Sequence, residues 1–217
     1  VPGDVWRAAA GLAARNRVTP FVVFLAAFAV VLSACGGRRE VLVGVPTTGR
    51  RSLAAMETIG LFVSTVPFWC RVDPRLRFPE LLAVVRGAST GLYRHSGVSL
   101  LEIAAVMDRD RQAIGSTPYR ITFNFLQTPH HDLSLDRLAV RRLRVVPRAL
   151  DVDLSVRVEA GGRHPVVEIL DGGDGGSAAT YLLDCYLYAL GRIAAMPTLC
   201  VGDLMRGAPV FDDKGVC

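Results

Sequence analysis

The chain has 217 residues, 51% hydrophobic and 21% charged, which suffices to bury a sizeable core and excludes a largely disordered segment. Its 25 basic and 20 acidic residues leave a net charge of +5, without the interleaved aromatic and basic residues of a nucleic-acid surface, so no nucleic-acid partner is expected. The five cysteines (Cys35, Cys70, Cys185, Cys200 and Cys217) are odd in number and never spaced Cys-x-x-Cys, so they signal neither a disulfide framework nor a metal site. They read as reduced thiols of a cytoplasmic protein, Cys35 and Cys185 being packed in helices. The start at Val1, with no signal peptide, is that expected of a piece of something longer.

The first strong element is the apolar run Phe21 to Leu32. Its twelve residues fall short of the roughly 20 needed to cross a bilayer, so no membrane span is expected. Thr19 offers a cap, Pro20 suits the first helical position and Gly36-Gly37 a left-handed end; the run reads as a helix buried on every side. "EVLVGVP" (Glu40 to Pro46) reads as a strand covered on both faces, followed by the polar loop "TTGRR". Phe62 to Val72 is strand-like, and Pro67 assigns it to an edge or a bulge. "FPELLAVVRGASTGLYRH" reads as a helix opened by Pro79, with an apolar stripe of Leu81, Leu82, Val85, Ala88 and Leu92. A capping box at Ser99 to Glu102 predicts a further helix ending near Met107.

Beyond a polar connection, "YRITFNFLQ", "LAVRRLRVVPR", "LDVDLSVRVEA" and "PVVEIL" read as strands separated by Gly and Pro turns. "DGGDGG" is a flexible loop, Ser177 to Met196 a long helix ended by Pro197, and the residues from Thr198 onward loop-like. Interspersed helices and strands predict an α/β fold with a mixed β-sheet and flanking helices.

Self-sufficient catalytic chemistry is hard to find. His130 and His131 are adjacent, and neighbours on a strand point to opposite faces, so a shared metal is disfavoured and a solvated loop expected. "GGDGG" lacks the Gly-Lys-Ser/Thr ending of a phosphate loop, and no G-x-S-x-G is present. The basic run Arg141 to Arg148 reads as a solvated strand face. "IGLFVSTVPF" (Ile59 to Phe68) is different: Gly60 permits a close approach or unusual turn, Phe62 and Val63 anchor a strand, and Ser64 and Thr65 offer small hydroxyls beside backbone groups that a bulge leaves free. Two readings stand for it: an edge strand with a packing glycine, or the wall of a narrow channel for a polar, amide-like chain.

Several stretches together carry a resemblance. "VTPFVVFLAAFAVVL…VLVGVPTTGR" is similar to T-P-F-x-x-L-L-A-A-F-A-x-L-L followed by V-G-x-P-x-x-G-R, and "IGLFVSTVPF" resembles I-G-x-F-V-N-T with Ser64 in place of asparagine. "HSGVSLLEI" corresponds to H-Q-D-x-P-F-E through His95 and Glu102, and "ITFNFLQTP" to F-N-x-Q through Asn124 and Gln127. A worn R-D-x-S-R-N-P-L keeps Asp110 and Pro118. In order and spacing these resemble the second half of a condensation domain of nonribosomal peptide synthetases.

The resemblance implies a chloramphenicol-acetyltransferase-like lobe over residues 1–204, with 205–217 a tail or linker. The family joins an acyl or peptidyl thioester to the amine of an aminoacyl thioester, both carried on phosphopantetheine arms through a tunnel between two lobes. The implied partners are an N-terminal lobe and donor and acceptor peptidyl carrier proteins, with no bound cofactor and no metal. Ile59, Gly60, Phe62, Val63, Ser64 and Thr65 would floor the tunnel, Asn124 would present its amide to it, and Arg50 would face an aspartate of the other lobe. The catalytic histidine belongs to H-H-x-x-x-D-G, which is absent: after His130-His131, Leu135 takes the aspartate position, Asp136 comes one late and Arg137 follows. The isolated chain is therefore expected to be inactive. The worn motifs also admit a non-catalytic lobe recruiting a carrier protein or tailoring enzyme, and the superfamily admits a coenzyme A-dependent acyltransferase.

Overall fold

A computed structural model describes residues 1–50, 52–98, 102–103, 118–127, 138, 150–160, 165–173 and 176–210. Two helices lead the chain, α1 (Gly3–Arg15) and α2 (Pro20–Gly36). Strand β1 (Glu40–Thr48), the short α3 (Leu53–Glu57), β2 (Val63–Arg71) and α4 (Phe78–His95) follow. Then come β3 (Ile121–Leu126), β4 (Leu154–Glu159), β5 (Val166–Asp171), α5 (Ser177–Ala195) and α6 (Val201–Leu204).

The predicted buried helix is α2. Pro20 occupies its first turn, and Gly37 at φ 63° ends it in the left-handed region, where a side chain would be strained. Every residue from Val22 to Val31 is buried, so no face is left for water. Among the described residues no single helix is long and apolar enough to cross a membrane. The Phe28 ring stacks on Phe123 at 5.4 Å and meets Tyr186 edge-on at 5.4 Å, while Phe24 packs on Trp6 and Phe125. The buried Tyr186 hydroxyl donates to the Phe24 carbonyl at 2.9 Å, which satisfies its one polar atom.

The sheet is mixed, in the order β2-β1-β3-β4-β5. β1 pairs antiparallel with β2 and parallel with β3; β3 pairs parallel with β4, and β4 antiparallel with β5. Alternation along each strand puts Val41, Val43, Val45, Val66, Phe68, Phe123, Val156 and Val158 on one face, where all are buried and α2, α4 and α5 cover them. Burying each such side chain contributes roughly 1.5–3 kcal/mol. The opposite face carries Trp69, Thr65, Thr122, Asn124 and Arg157.

Several expectations change. Pro67 lies on an edge strand as expected, but without a bulge: the β1–β2 register runs unbroken from Glu40↔Arg71 to Thr48↔Val63. Pro67 is tolerated because an edge strand needs only alternate N–H groups for its single partner. β1 continues through Thr47 and Thr48, which read as loop. Cys185 is buried, whereas Cys35 lies exposed in the last turn of α2, its thiol 3.9 Å from the Tyr181 hydroxyl and pushed up to about 11, by burial of its neighbourhood first. Among the residues expected to be loop-like from Thr198 onward, Val201–Leu204 form a short helix docked on the core. Val201 N donates to Leu76 O at 2.8 Å and Phe78 N to Leu199 O at 3.0 Å, and Val201 and Leu204 are buried against the core. The Tyr188 hydroxyl reaches Arg206 O at 2.7 Å, tying the following turn to α5. The capped helix expected after Ser99, the His130-His131 pair and the basic run Arg141 to Arg148 lie outside the described residues, apart from Glu102 and Ile103.

Because Phe28 joins α2 to both the sheet and α5, Phe28→Ala should destabilise the chain by about 3–5 kcal/mol in urea unfolding. Trp69→Ala, on the exposed face, should cost less than about 1 kcal/mol. Equal costs at the two positions would contradict this assignment of core and face.

Candidate functional site

The candidate site is built where β1 leaves the sheet. Both glycines of "VGVPTTGR" are there because something approaches closely. A Cβ at Gly44 would lie 2.5 Å from the Tyr119 ring, and one at Gly49 would lie 2.6 Å from the Phe62 carbonyl oxygen. Gly49 N donates to that same oxygen at 2.7 Å, closing the loop of residues 50–61 at its neck.

Inside the loop, Arg50 is the organising side chain. One terminal nitrogen donates to the carbonyls of Ala55 and of Thr58, the latter at 2.6 Å, and the other to Gly60 O at 3.3 Å. Its guanidinium carbon sits 4.3 Å from the centroid of the Phe62 ring, a cation–π contact. The planar fork suits several carbonyls in one loop, as a lysine's point charge does not. Three of its five N–H groups are thus engaged within the loop, leaving at most two for a carboxylate on another body. Ser52 caps α3 by accepting from Ala55 N at 3.1 Å.

What this folded loop presents is apolar. Leu53, Met56, Ile59, Leu61 and Val63 are exposed by 81%, 63%, 100%, 92% and 60%. So dense a run of exposed aliphatic side chains marks a contact surface, since folding alone gains nothing from it. Phe62 is the exception, half-buried beneath Arg50. Gly60 is exposed, and a Cβ there would meet only the Phe62 ring, at 3.2 Å; neither a positive φ nor a backbone contact demands glycine. Val63 begins β2 but is too exposed to anchor it.

Ser64 and Thr65 point to opposite faces of the sheet. Ser64 lies on the helix-covered side, and its carbonyl accepts from Thr47 Oγ1 at 3.1 Å. Thr65 lies on the other face, where its side chain hydrogen-bonds with Tyr119; that bond lowers the phenol's pKa, but burial is the larger effect and leaves it raised. The two hydroxyls cannot line one channel wall, and no bulge interrupts the strand beside them; any backbone group that β1 leaves unpaired there is that of an edge strand. Asn124 shares the face of Thr65. The pairs Thr65↔Pro46 and Asn124↔Arg157, with Gly44 opposite Thr122 in the parallel ladder, put Thr65, Pro46, Asn124 and Arg157 in one row across four strands. At ~4.8 Å per strand, Thr65 and Asn124 are about 10 Å apart. Arg157 is held between Glu159 at 4.0 Å and Glu168 at 3.9 Å.

The structure therefore brings together Arg50, Gly60 and Phe62 in the loop, and Thr65 with Asn124 on the open face. Ser64 is left outside that group, and Ile59 stands exposed at the rim. His95 is the exposed last residue of α4. Sequence reasoning missed Gly44 and Gly49 as steric requirements, and Tyr119 as the partner of both Gly44 and Thr65. The V-G and G-R dipeptides were the available signal.

Comparison with known proteins agrees with this architecture. Residues 3–161 match the family model described as Condensation domain. The chain is 25% identical to the PKS-NRPS hybrid synthetase psoA of Aspergillus fumigatus over 215 residues, 93% of this chain and 5% of that protein. It is 27% identical to malpinin synthetase of Mortierella alpina over 150 residues, 69% of this chain and 2% of that one. A holo four-domain nonribosomal peptide synthetase bound to AMP and glycine superposes with a TM-score of 0.82 at 14% identity, covering 94% of this chain and 17% of that one. The X-domain from teicoplanin biosynthesis superposes with a TM-score of 0.79 at 17% identity, covering 96% of this chain and 48% of that one. The chain thus spans a small fraction of the synthetases it matches, and under half of the X-domain.

With its fork replaced by a single ammonium, the loop should loosen. Arg50→Lys should speed thermolysin cleavage within residues 53–62 about tenfold, leaving the unfolding midpoint nearly unchanged. Cleavage at the parent rate would mean that the carbonyl contacts do not hold the loop.

Proposed function

From the premise that this chain belongs to the condensation-domain family, we propose that it is the acceptor-side, C-terminal lobe of a condensation domain forming amide bonds between carrier-bound thioesters. The observation that carries this reading is the loop of residues 50–62: folded by Arg50, and apolar on its exposed side. A loop held in shape while presenting apolar side chains to solvent fits a surface that a second lobe covers.

In the proposed reaction the amine of an aminoacyl thioester attacks the carbonyl carbon of an acyl or peptidyl thioester. The C–N bond forms, the C–S bond breaks, the thiol leaves with a proton and the amine gives one up. This lobe's residues supply position and not a base. The apolar loop would exclude water from a thioester that water could otherwise hydrolyse. Thr65 and Asn124 offer a hydroxyl and an amide on one face, suited to a polar, amide-containing arm such as phosphopantetheine. Holding both thioesters in one tunnel replaces a bimolecular encounter, an effect worth up to ~7–11 kcal/mol of barrier. The proton acceptor would be a histidine of the N-terminal lobe. The N–H groups of Arg50 not engaged within the loop, at most two, would meet a carboxylate of that lobe. Donor and acceptor carrier proteins are then the partners, and the cytoplasm the compartment.

The worn motifs favour a second reading. Ser64 stands in the asparagine position and turns to the helix side of the sheet, which suits a lobe that recruits and does not catalyse. The X-domain, whose fold this chain shares, has been solved in complex with OxyB.

In a complete two-lobe domain, Gly60→Trp should lower single-turnover amide formation between loaded carrier proteins by about tenfold or more. An unchanged rate would overturn the floor assignment. No product from the parent domain, even with an intact histidine pair upstream, would favour the recruiting reading. Turnover with free coenzyme A thioesters in place of carriers would point to an acyltransferase of that type.

A further inference from the structure

We propose that the cavity between α2 and α4 is a binding site for an organic anion, a carboxylate carried on an apolar body. The cavity has a volume of about 570 Å³, in the range of small-molecule pockets. It lies on the helix-covered side of the sheet, beyond the carboxyl ends of the parallel strands β1 and β3, and so on the opposite face from Thr65 and Asn124. The open crevice at such strand ends is where mixed and parallel sheets commonly take ligands.

Its lining divides into two chemistries. Phe21, Val22 and Phe125 make an apolar wall, with Phe21 edge-on to Phe125 at 6.1 Å and tilted toward Tyr93 at 6.3 Å. Arg17 and Arg86 contribute two guanidinium groups from different elements, and among the described residues no carboxylate lines the cavity. Neither guanidinium has a hydrogen-bond or carboxylate partner among the described residues, although Arg75, Arg120 and Arg206 each pair with an aspartate. Two exposed cations that border one hollow, without a carboxylate partner among the described residues, leave a positive potential there that an anion lowers.

Two further features point the same way. The first turn of α2 borders the cavity through Thr19, Phe21 and Val22; Pro20 has no N–H and Val22 N already donates to Thr19 O at 3.0 Å, so the turn offers a ligand the positive end of the helix dipole with the Phe21 N–H. Ser89, 4% exposed and part of the lining, has a buried hydroxyl without a hydrogen-bond partner among the described residues. A buried hydroxyl left unpaired is costly, and an acceptor in the cavity would satisfy it. A carboxylate accepts from both the Arg fork and the hydroxyl, while its apolar body covers the aromatic wall.

The site does not depend on the condensation reading, and its test reads no turnover, so either can fail alone. Calorimetric titration of the chain with 4-phenylbutyrate should give saturable one-site binding. 4-Phenylbutanol, of the same shape without charge, should bind at least tenfold more weakly. Arg86→Gln, at an exposed position, should keep the parent's circular dichroism and melting temperature while weakening the acid about tenfold. Ser89→Ala should weaken it severalfold. Equal binding of acid and alcohol, unchanged affinity in Arg86→Gln, or no acid binding in the millimolar range would overturn the proposal. The N-acetylcysteamine thioester of 4-carboxyphenylalanine separates two sources of the anion. Competition by it means that the carboxylate arrives on a thioester-borne substrate; binding of the free acid alone means a diffusible ligand.

Discussion

A helix with no polar face must be covered on every side, and α2 is such a helix. Its ten consecutive buried residues dictate where α1, α4, α5 and the sheet can lie. Each neighbour buries one stripe on it and turns the other side to water. The Tyr186 hydroxyl, fixed to the Phe24 carbonyl, locks α5 at one depth along α2. Phe28, Phe123 and Tyr186 then form one aromatic contact spanning both layers. Among the described residues α1, α2, α4 and α5 are committed to that face, so they leave the other face of the sheet and the loop leaving β1 available to a second body.

That division explains why the open face carries function-like residues without forming a complete site. Arg50 spends three N–H groups on shaping a loop whose exposed side chains gain nothing from this chain's own folding. Stability here is local: the loop is closed by Gly49 on Phe62 and stiffened by a cation–π contact, so it keeps its form while its apolar surface stays uncovered. Preorganisation of this kind lowers the ordering cost when a partner binds.

The elements with long apolar periodicity were legible in the sequence. α2, α4 and α5 were readable through their caps and stripes, β1 through its valines, and the edge position of β2 through Pro67. α1 was not foreseen, although Val5, Trp6, Ala9, Leu12 and Ala13 sit at helical spacing; its alanine-rich stripe is weak and Pro2 gives no side-chain cap. The four residues of α6 are too few for any period, and only the burial of Val201 and Leu204 and the bond from Val201 N to Leu76 O reveal them. At the site, motif order led to the correct family and to the loop, but not to what its residues do. Whether Ser64 or Thr65 faces outward depends on the strand register, and a shift of one residue exchanges them. The role of Arg50 depends on three carbonyls, which no side-chain pattern records. The α2–α4 cavity was invisible for a similar reason, because Arg17, Arg86 and Ser89 meet only after α1, α2 and α4 have packed.

The central claim is that the loop of residues 50–62 is one half of a shared surface, folded in advance and completed by another lobe. Its most direct test is amide hydrogen exchange across the chain, alone and after adding the N-terminal lobe of a condensation domain. The account predicts slowing by about tenfold or more confined to residues 53–65 and the open face of the sheet, with the α2 core unchanged. Exchange in 53–65 that is the same with and without the added lobe, while the two bind elsewhere, would contradict it.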